Sequence, residues 1–123
     1  MKKKVFTSLG LMTGTSMDGV DLSIIKSDGY DEFSAILDKY YEFDDDLRKK
    51  LTYLRRKIYL SSDLKKYSDE LQSVEKKLTL FHANIVTKVL NKYNHNIDLV
   101  GFHGQTIFHN SQEKISKQLG DGK

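Results

Sequence analysis

Glycine is confined to two stretches of the chain. Four glycines fall between residues 10 and 29 and four between 101 and 122, none lies between Tyr30 and Val100, and proline is absent altogether. Glycine lets a backbone turn sharply or come close to a ligand, so special backbone geometry is expected at the two ends and regular scaffold between them. The 123 residues have room for one ordinary domain. Ala, Val, Ile, Leu, Met, Phe and Gly together make up about 39% of the chain, short of the roughly 45–50% of an average protein. A thin core follows.

Composition removes several classes of function. Twenty Lys and Arg stand against 17 Asp and Glu, a net charge of +3, which is too balanced to mark a nucleic-acid surface. Cysteine is absent, excluding a disulfide framework and thiolate metal sites. Leu, Ile, Val and aromatic residues are too plentiful for a disordered chain. Met1-Lys2-Lys3-Lys4 and the stretch to Met12 have the outline of a secretory signal, but Thr7, Ser8 and Gly10 interrupt it and no Ala-x-Ala cleavage site follows. No run approaches the ~18 apolar residues of a membrane span. The expectation is a soluble, cytoplasmic protein with neither membrane nor nucleic acid as partner.

Periodicity predicts an α/β fold. Val5 to Thr13 reads as a strand and Val20 to Ser27 as its antiparallel partner across the Gly14 to Gly19 turn. Asp28-Gly29 is a second turn, and Phe33 to Phe43 a third antiparallel strand. Asp44-Asp45-Asp46 suits a helix N-terminus, after which Leu47, Leu51, Leu54 and Ile58 recur at helical spacing. Ser61-Ser62-Asp63 offers a fresh N-cap. From Leu64 through Leu71, Leu78 and Ile85 to Val89 the same rhythm continues to Tyr93, as one helix or as two broken near Ser68. Ile97 to Phe102 is a short strand, followed by a turn at Gly101 to Gly104 and an extended piece at Thr106 to Phe108. A coiled coil is disfavoured, because the flanking charges are not complementary and strands precede the rhythm.

Three segments carry possible chemistry. In Gly14-Thr15-Ser16-Met17-Asp18-Gly19-Val20-Asp21, two glycines let backbone N–H groups converge on an anion. Thr15 and Ser16 add hydroxyls, and Asp18 could hold a magnesium ion bridging phosphate oxygens. The same residues fit a plain polar hairpin turn. They match neither a Walker loop nor the dinucleotide fingerprint nor an EF-hand. The second segment is Gly101-Phe102-His103-Gly104-Gln105-Thr106. Its donors and acceptors suit sugar hydroxyls, and Gly104 permits close approach, although His103 could equally bond a neighbouring carbonyl. His103 and His109 lack a third partner for zinc. His82 reads as a packed or surface histidine, and His95 lies in a turn. The third segment, Gln118-Leu119-Gly120-Asp121-Gly122-Lys123, sets Asp121 between glycines as in a ligand-facing loop or a frayed tail.

Taken in order, Gly10 to Asp21, Gly101 to Thr106 and Gln118 to Gly122 resemble the 1,6-anhydro-N-acetylmuramic acid kinase family, and they span nearly the whole chain. The resemblance implies a sugar-kinase and actin-like ATPase superfamily enzyme that opens and phosphorylates the anhydro sugar in peptidoglycan recycling, with ATP as co-substrate and Mg2+. It implies a ribonuclease-H-like, actin-like ATPase lobe: residues 1–123 would form a single partial domain, the incomplete N-terminal lobe of a two-lobe kinase whose second lobe is absent. Carried over by position, Gly14, Thr15, Ser16, Met17, Asp18, Gly19, Val20 and Asp21 form the ATP loop, with Asp18 on magnesium or its water. His103, Gly104, Gln105 and Asp121 border the sugar. The general base is an aspartate expected beyond Lys123, leaving this stretch inactive alone. Implied partners are the amino sugar and ATP, with a homodimer for the intact protein.

Two other readings compete. Another sugar or acetate kinase of the superfamily would share the phosphate hairpin, but the His103 to Thr106 run argues against it. A small binding module without catalysis would seldom stop inside a glycine loop such as Gly120 to Lys123.

Overall fold

The computed structural model describes residues 4–14, 16–93, 96–110, 112 and 114–121. Phe6–Thr13 (β1) and Gly19–Ser27 (β2) pair antiparallel from Phe6 opposite Ser27 to Thr13 opposite Val20. Phe33–Glu42 (β3) continues the meander on β2, with a bulge at Ile24/Ile25. Alternate side chains of β1 and β2 enter the core, whereas β3 buries none fully and leaves Phe33 69% exposed. Thr7, Leu9, Leu11 and Thr13 of β1 and Val20, Leu22 and Ile24 of β2 face the core. Asp28 closes the β2–β3 turn by accepting through Oδ1 from the N–H groups of Tyr30, Asp31 and Glu32 at 2.9, 3.2 and 3.1 Å. The Tyr30 N–H foremost among them holds its carboxyl below the usual carboxylate value.

Asp45–Lys57 (α1) begins at Asp44, whose Oδ1 accepts from Leu47 N at 2.8 Å, an N-cap worth about 1 kcal/mol. Leu47, Leu51, Leu54 and Ile58 are buried along one face, as their spacing requires. The long rhythm divides into Asp63–Lys66 (α2) and Ser68–Lys92 (α3), with Tyr67 at the junction. Both pieces turn the same face inward, since Leu64 and Tyr67 pack on the core that Leu71, Val74, Leu78, Ile85 and Val89 enter. The expected serine cap is not made. Ser62 makes no side-chain cap, and Asp63 instead reaches back through Oδ2 to the N–H groups of Tyr59 and Leu60, both at 2.9 Å. Phe43 meets Phe81 edge-on at 5.1 Å, joining the end of β3 to α3.

Leu99–Phe102 (β4) lies parallel to β1, with Ser8 opposite Leu99 and Leu11 opposite Phe102, giving the mixed sheet order β3-β2-β1-β4. A parallel pair needs a crossover, which β2, β3 and the helices supply. Asp98 starts the pairing, its N–H donating to Thr7 O and its Oδ2 accepting from Thr7 N, both at 2.8 Å. Gln105–Asn110 (β5) and Ile115–Leu119 (β6) form a separate antiparallel ribbon whose Ile107, Phe108 and Leu119 join the core. The last segment, which the sequence presents as a ligand-facing loop or a frayed tail, is thus strand as far as Leu119. Its mostly exposed Ile-Ser-Lys-Gln pattern carries little strand signal. Among the described residues, no helix is long and apolar enough to cross a membrane.

Candidate active site

The hairpin turn between β1 and β2 is built around a methionine rather than its glycines. Met17 takes the left-handed conformation, φ 61°, and its side chain is only 2% exposed, anchored in the core. Its N–H donates to Gly14 O at 3.3 Å. Two glycines were expected to shape the turn, but among its described residues Met17 is the left-handed one, and its N–H is already engaged. The next carbonyl, that of Asp18, accepts from Phe43 N at 2.8 Å and ties the turn to the start of α1. Gly14, Ser16 and Asp18 are exposed. Val20 is buried, so it and Met17 can offer a ligand only backbone. Gly19 opens β2, and Asp21 is exposed on it opposite Met12 and Tyr40. Thr15 lies outside the described residues.

The second segment locks onto this turn. His103 N donates to Leu11 O at 3.2 Å, Thr13 Oγ1 to Gly104 O at 2.5 Å, and Gln105 Nε2 to Gly14 O at 3.0 Å. Gln105 is 0% exposed, so its amide acts as an internal clamp between the segments. Gly104 has φ 78°, and a side chain there would collide with the carbonyl of Leu119, so glycine is required twice over. His103 is exposed, and its Nδ1, as donor, meets Gly104 O at 3.0 Å.

The third segment closes against both the second and α3. Gly120, φ 132°, sits over the Phe102 ring, whose Cζ is 2.5 Å from where a Cβ would stand. Its N–H donates to Glu75 Oε2 at 3.1 Å, and the N–H of exposed Asp121 donates to Thr79 Oγ1 at 3.0 Å. His82 is buried beneath, edge-on to Phe102 at 4.9 Å, with Nδ1 donating to Leu78 O at 2.8 Å. It is a packed histidine. Gly122 and Lys123 lie outside the described residues, as does His95.

Asp18 stands at the rim of a cleft of about 520 Å3 whose other walls are Arg48, Lys49, Thr52, Tyr53, Arg56 and Lys57 of α1. Partial desolvation, followed by the charges of Asp18, Glu42 and Asp21, pushes the Tyr40 phenol above its ordinary value. Among the described residues no three His, Asp or Glu gather as a metal cage. Magnesium is commonly held by one or two carboxylates and by the oxygens of the phosphates it accompanies. Asp18 could be such a carboxylate, and Arg48, Lys49, Arg56 and Lys57 line the same cleft.

Residue type and the family resemblance pointed to His103, Gly104, Gln105 and Asp121 but not to Thr13, Glu75, Thr79 or the basic side chains of α1 that line the cleft. Thr13 carried a weak signal, a polar residue ending an apolar strand. Glu75 and Thr79 were hidden as ordinary polar positions within the helical rhythm.

The carboxyl ends of the parallel strands β1 and β4 thus deliver the hairpin turn and the His103-Gly104 corner to one edge of the sheet. This is the edge at which α/β domains take their ligands. The family model of anhydro-N-acetylmuramic acid kinase matches residues 6–123, and the chain belongs to that family. It is 54% identical over 120 residues to the anhydro-N-acetylmuramic acid kinase of Pelagibacter ubique, covering 98% of this chain and 32% of the relative. Those of Rhizobium etli and Agrobacterium fabrum are 38% and 36% identical, each covering 97% of this chain and 33% of the relative. The chain spans about a third of the length of these curated relatives.

Proposed function

We propose that this chain forms part of the N-terminal, actin-like lobe of an enzyme that phosphorylates 1,6-anhydro-N-acetylmuramic acid with ATP while opening its anhydro ring, in peptidoglycan recycling. The observation that carries the reading is the lacing of the three segments, with Gln105 and Thr13 bonding the first to the second and Gly104 lying against Leu119 of the third. The need for ATP puts the reaction in the cytoplasm.

The roles follow from charge and exposure. Asp18, exposed at the tip of the turn, holds magnesium or its water, and magnesium when bound neutralises the charge on the transferring phosphoryl group. Exposed Ser16 offers its hydroxyl to phosphate oxygens, and Thr15 is assigned the same role from its residue type alone. Gln105 keeps the turn in place from inside, and His103 and Asp121, both exposed, face the sugar. The base that activates water at the anomeric carbon is assigned to the two thirds of the relatives' length that this chain does not span.

The test is a chimera in which residues 1–123 replace the matching third of the Pelagibacter ubique relative. Phosphorylation of 1,6-anhydro-N-acetylmuramic acid by the chimera, and none by the 123-residue chain alone, is the expected result. A chimera that folds and binds ATP but phosphorylates another sugar in its place would overturn the substrate. Turnover of the anhydro sugar by the 123-residue chain would overturn the placing of the base.

A further inference from the structure

One face of α3 carries two side-chain acceptors, Glu75 and Thr79, a single helical turn apart, and both are spent on the third segment. Glu75 Oε2 accepts from Gly120 N at 3.1 Å, and Thr79 Oγ1 accepts from Asp121 N at 3.0 Å. Thr79 is itself oriented, because its hydroxyl donates to Glu75 O at 2.8 Å. The ring of Phe102 fills the space a side chain on Gly120 would occupy, and His82 meets that ring edge-on at 4.9 Å. Two consecutive backbone N–H groups are thus held from the helix while an aromatic ring supports the residue between them. An exposed loop residue would ordinarily offer its N–H to water. Here the N–H of Asp121 is fixed by a helix 42 positions away in sequence.

We infer that Glu75 and Thr79 are positioning residues: by anchoring the Gly120 and Asp121 N–H groups they set the direction in which the Asp121 side chain meets the sugar. The inference rests on the reading of Asp121 as facing the sugar. Their effect passes through the backbone of the third segment.

Thr79→Val removes the acceptor while keeping the shape, and Thr79→Ser restores it. Hydrogen exchange is read on the 123-residue chain and kinetics on the chimera. In Thr79→Val the Asp121 amide should exchange about tenfold faster, and the KM for the amino sugar should rise about tenfold, with the KM for ATP within about twofold of its starting value. Thr79→Ser should return both to the starting values. General loosening would instead speed exchange along the whole of α3 and would not separate the two KM values. Unchanged exchange at Asp121 overturns the anchor. Faster exchange with an unchanged sugar KM overturns the positioning role if Asp121→Ala raises that KM. If Asp121→Ala leaves it unmoved, the sugar-facing reading of Asp121 is what has failed, and the role of Glu75 and Thr79 falls with it.

Discussion

The side-chain amide of Gln105 donates to the main-chain carbonyl of Gly14 at 3.0 Å, joining residues 91 positions apart. Gln105 is buried, and its Nε2 also donates to Thr106 O at 3.3 Å. The hairpin turn therefore takes its position from the second segment as much as from its own sequence.

Replacing that amide separates loss of a bond from burial of a charge. Gln105→Leu should lower stability by about 1–2 kcal/mol. Gln105→Glu should cost more, because it sets a carboxylate against the Gly14 carbonyl in a buried site. Urea unfolding of the two variants gives the order, and a Glu variant as stable as the Leu variant would refute the clamp.

Gly104→Ala meets a left-handed φ of 78° and the Leu119 carbonyl together, so a loss above about 1 kcal/mol is expected. Gly101→Ala is the control. A Cβ at Gly101 meets nothing within 4 Å, and that variant should be neutral or slightly stabilising. Thermal unfolding of both checks the difference.

The sheet meander and α1 are legible in the sequence because each rests on a local period or turn signal, whereas the sequence leaves one helix or two open and marks no turn at Tyr67, where the division falls. The β6 strand is not, since only Leu119 of its five residues is buried and no alternation announces it. At the site, His103 and Gln105 on either side of Gly104, and Asp121 between two glycines, stand out as polar residues beside glycine. Their partners do not. Thr13, Glu75 and Thr79 act through contacts made across 42 to 91 positions, which no local pattern encodes. The turn misleads for a similar reason, because its left-handed residue is Met17, held there by burial of its side chain.

His82 gives a pH dependence with a definite sign. Burial, opposed only in part by the bond to Leu78 O, pushes its imidazole below the ordinary 6.5. The folded state keeps it neutral while an unfolded chain takes up a proton near that value, so its share of stability is complete above pH 6.5 and is lost as pH falls through the folded value. Ring resonances of His82 should titrate below 6.5. His82→Leu should flatten the acid side of the stability profile, and a normal midpoint in the titration would remove the effect.

The central claim is that the turn bearing Asp18 handles the phosphoryl group. Its most direct test is turnover of 1,6-anhydro-N-acetylmuramic acid by the chimera carrying Asp18→Ala. The substitution lies on an exposed residue and should leave unfolding unchanged while lowering kcat at least about a hundredfold, because a carboxylate on magnesium acts chiefly in the transition state. A kcat within about twofold of the unsubstituted chimera would contradict the account, since the loss of a group acting in the transition state cannot leave the rate intact.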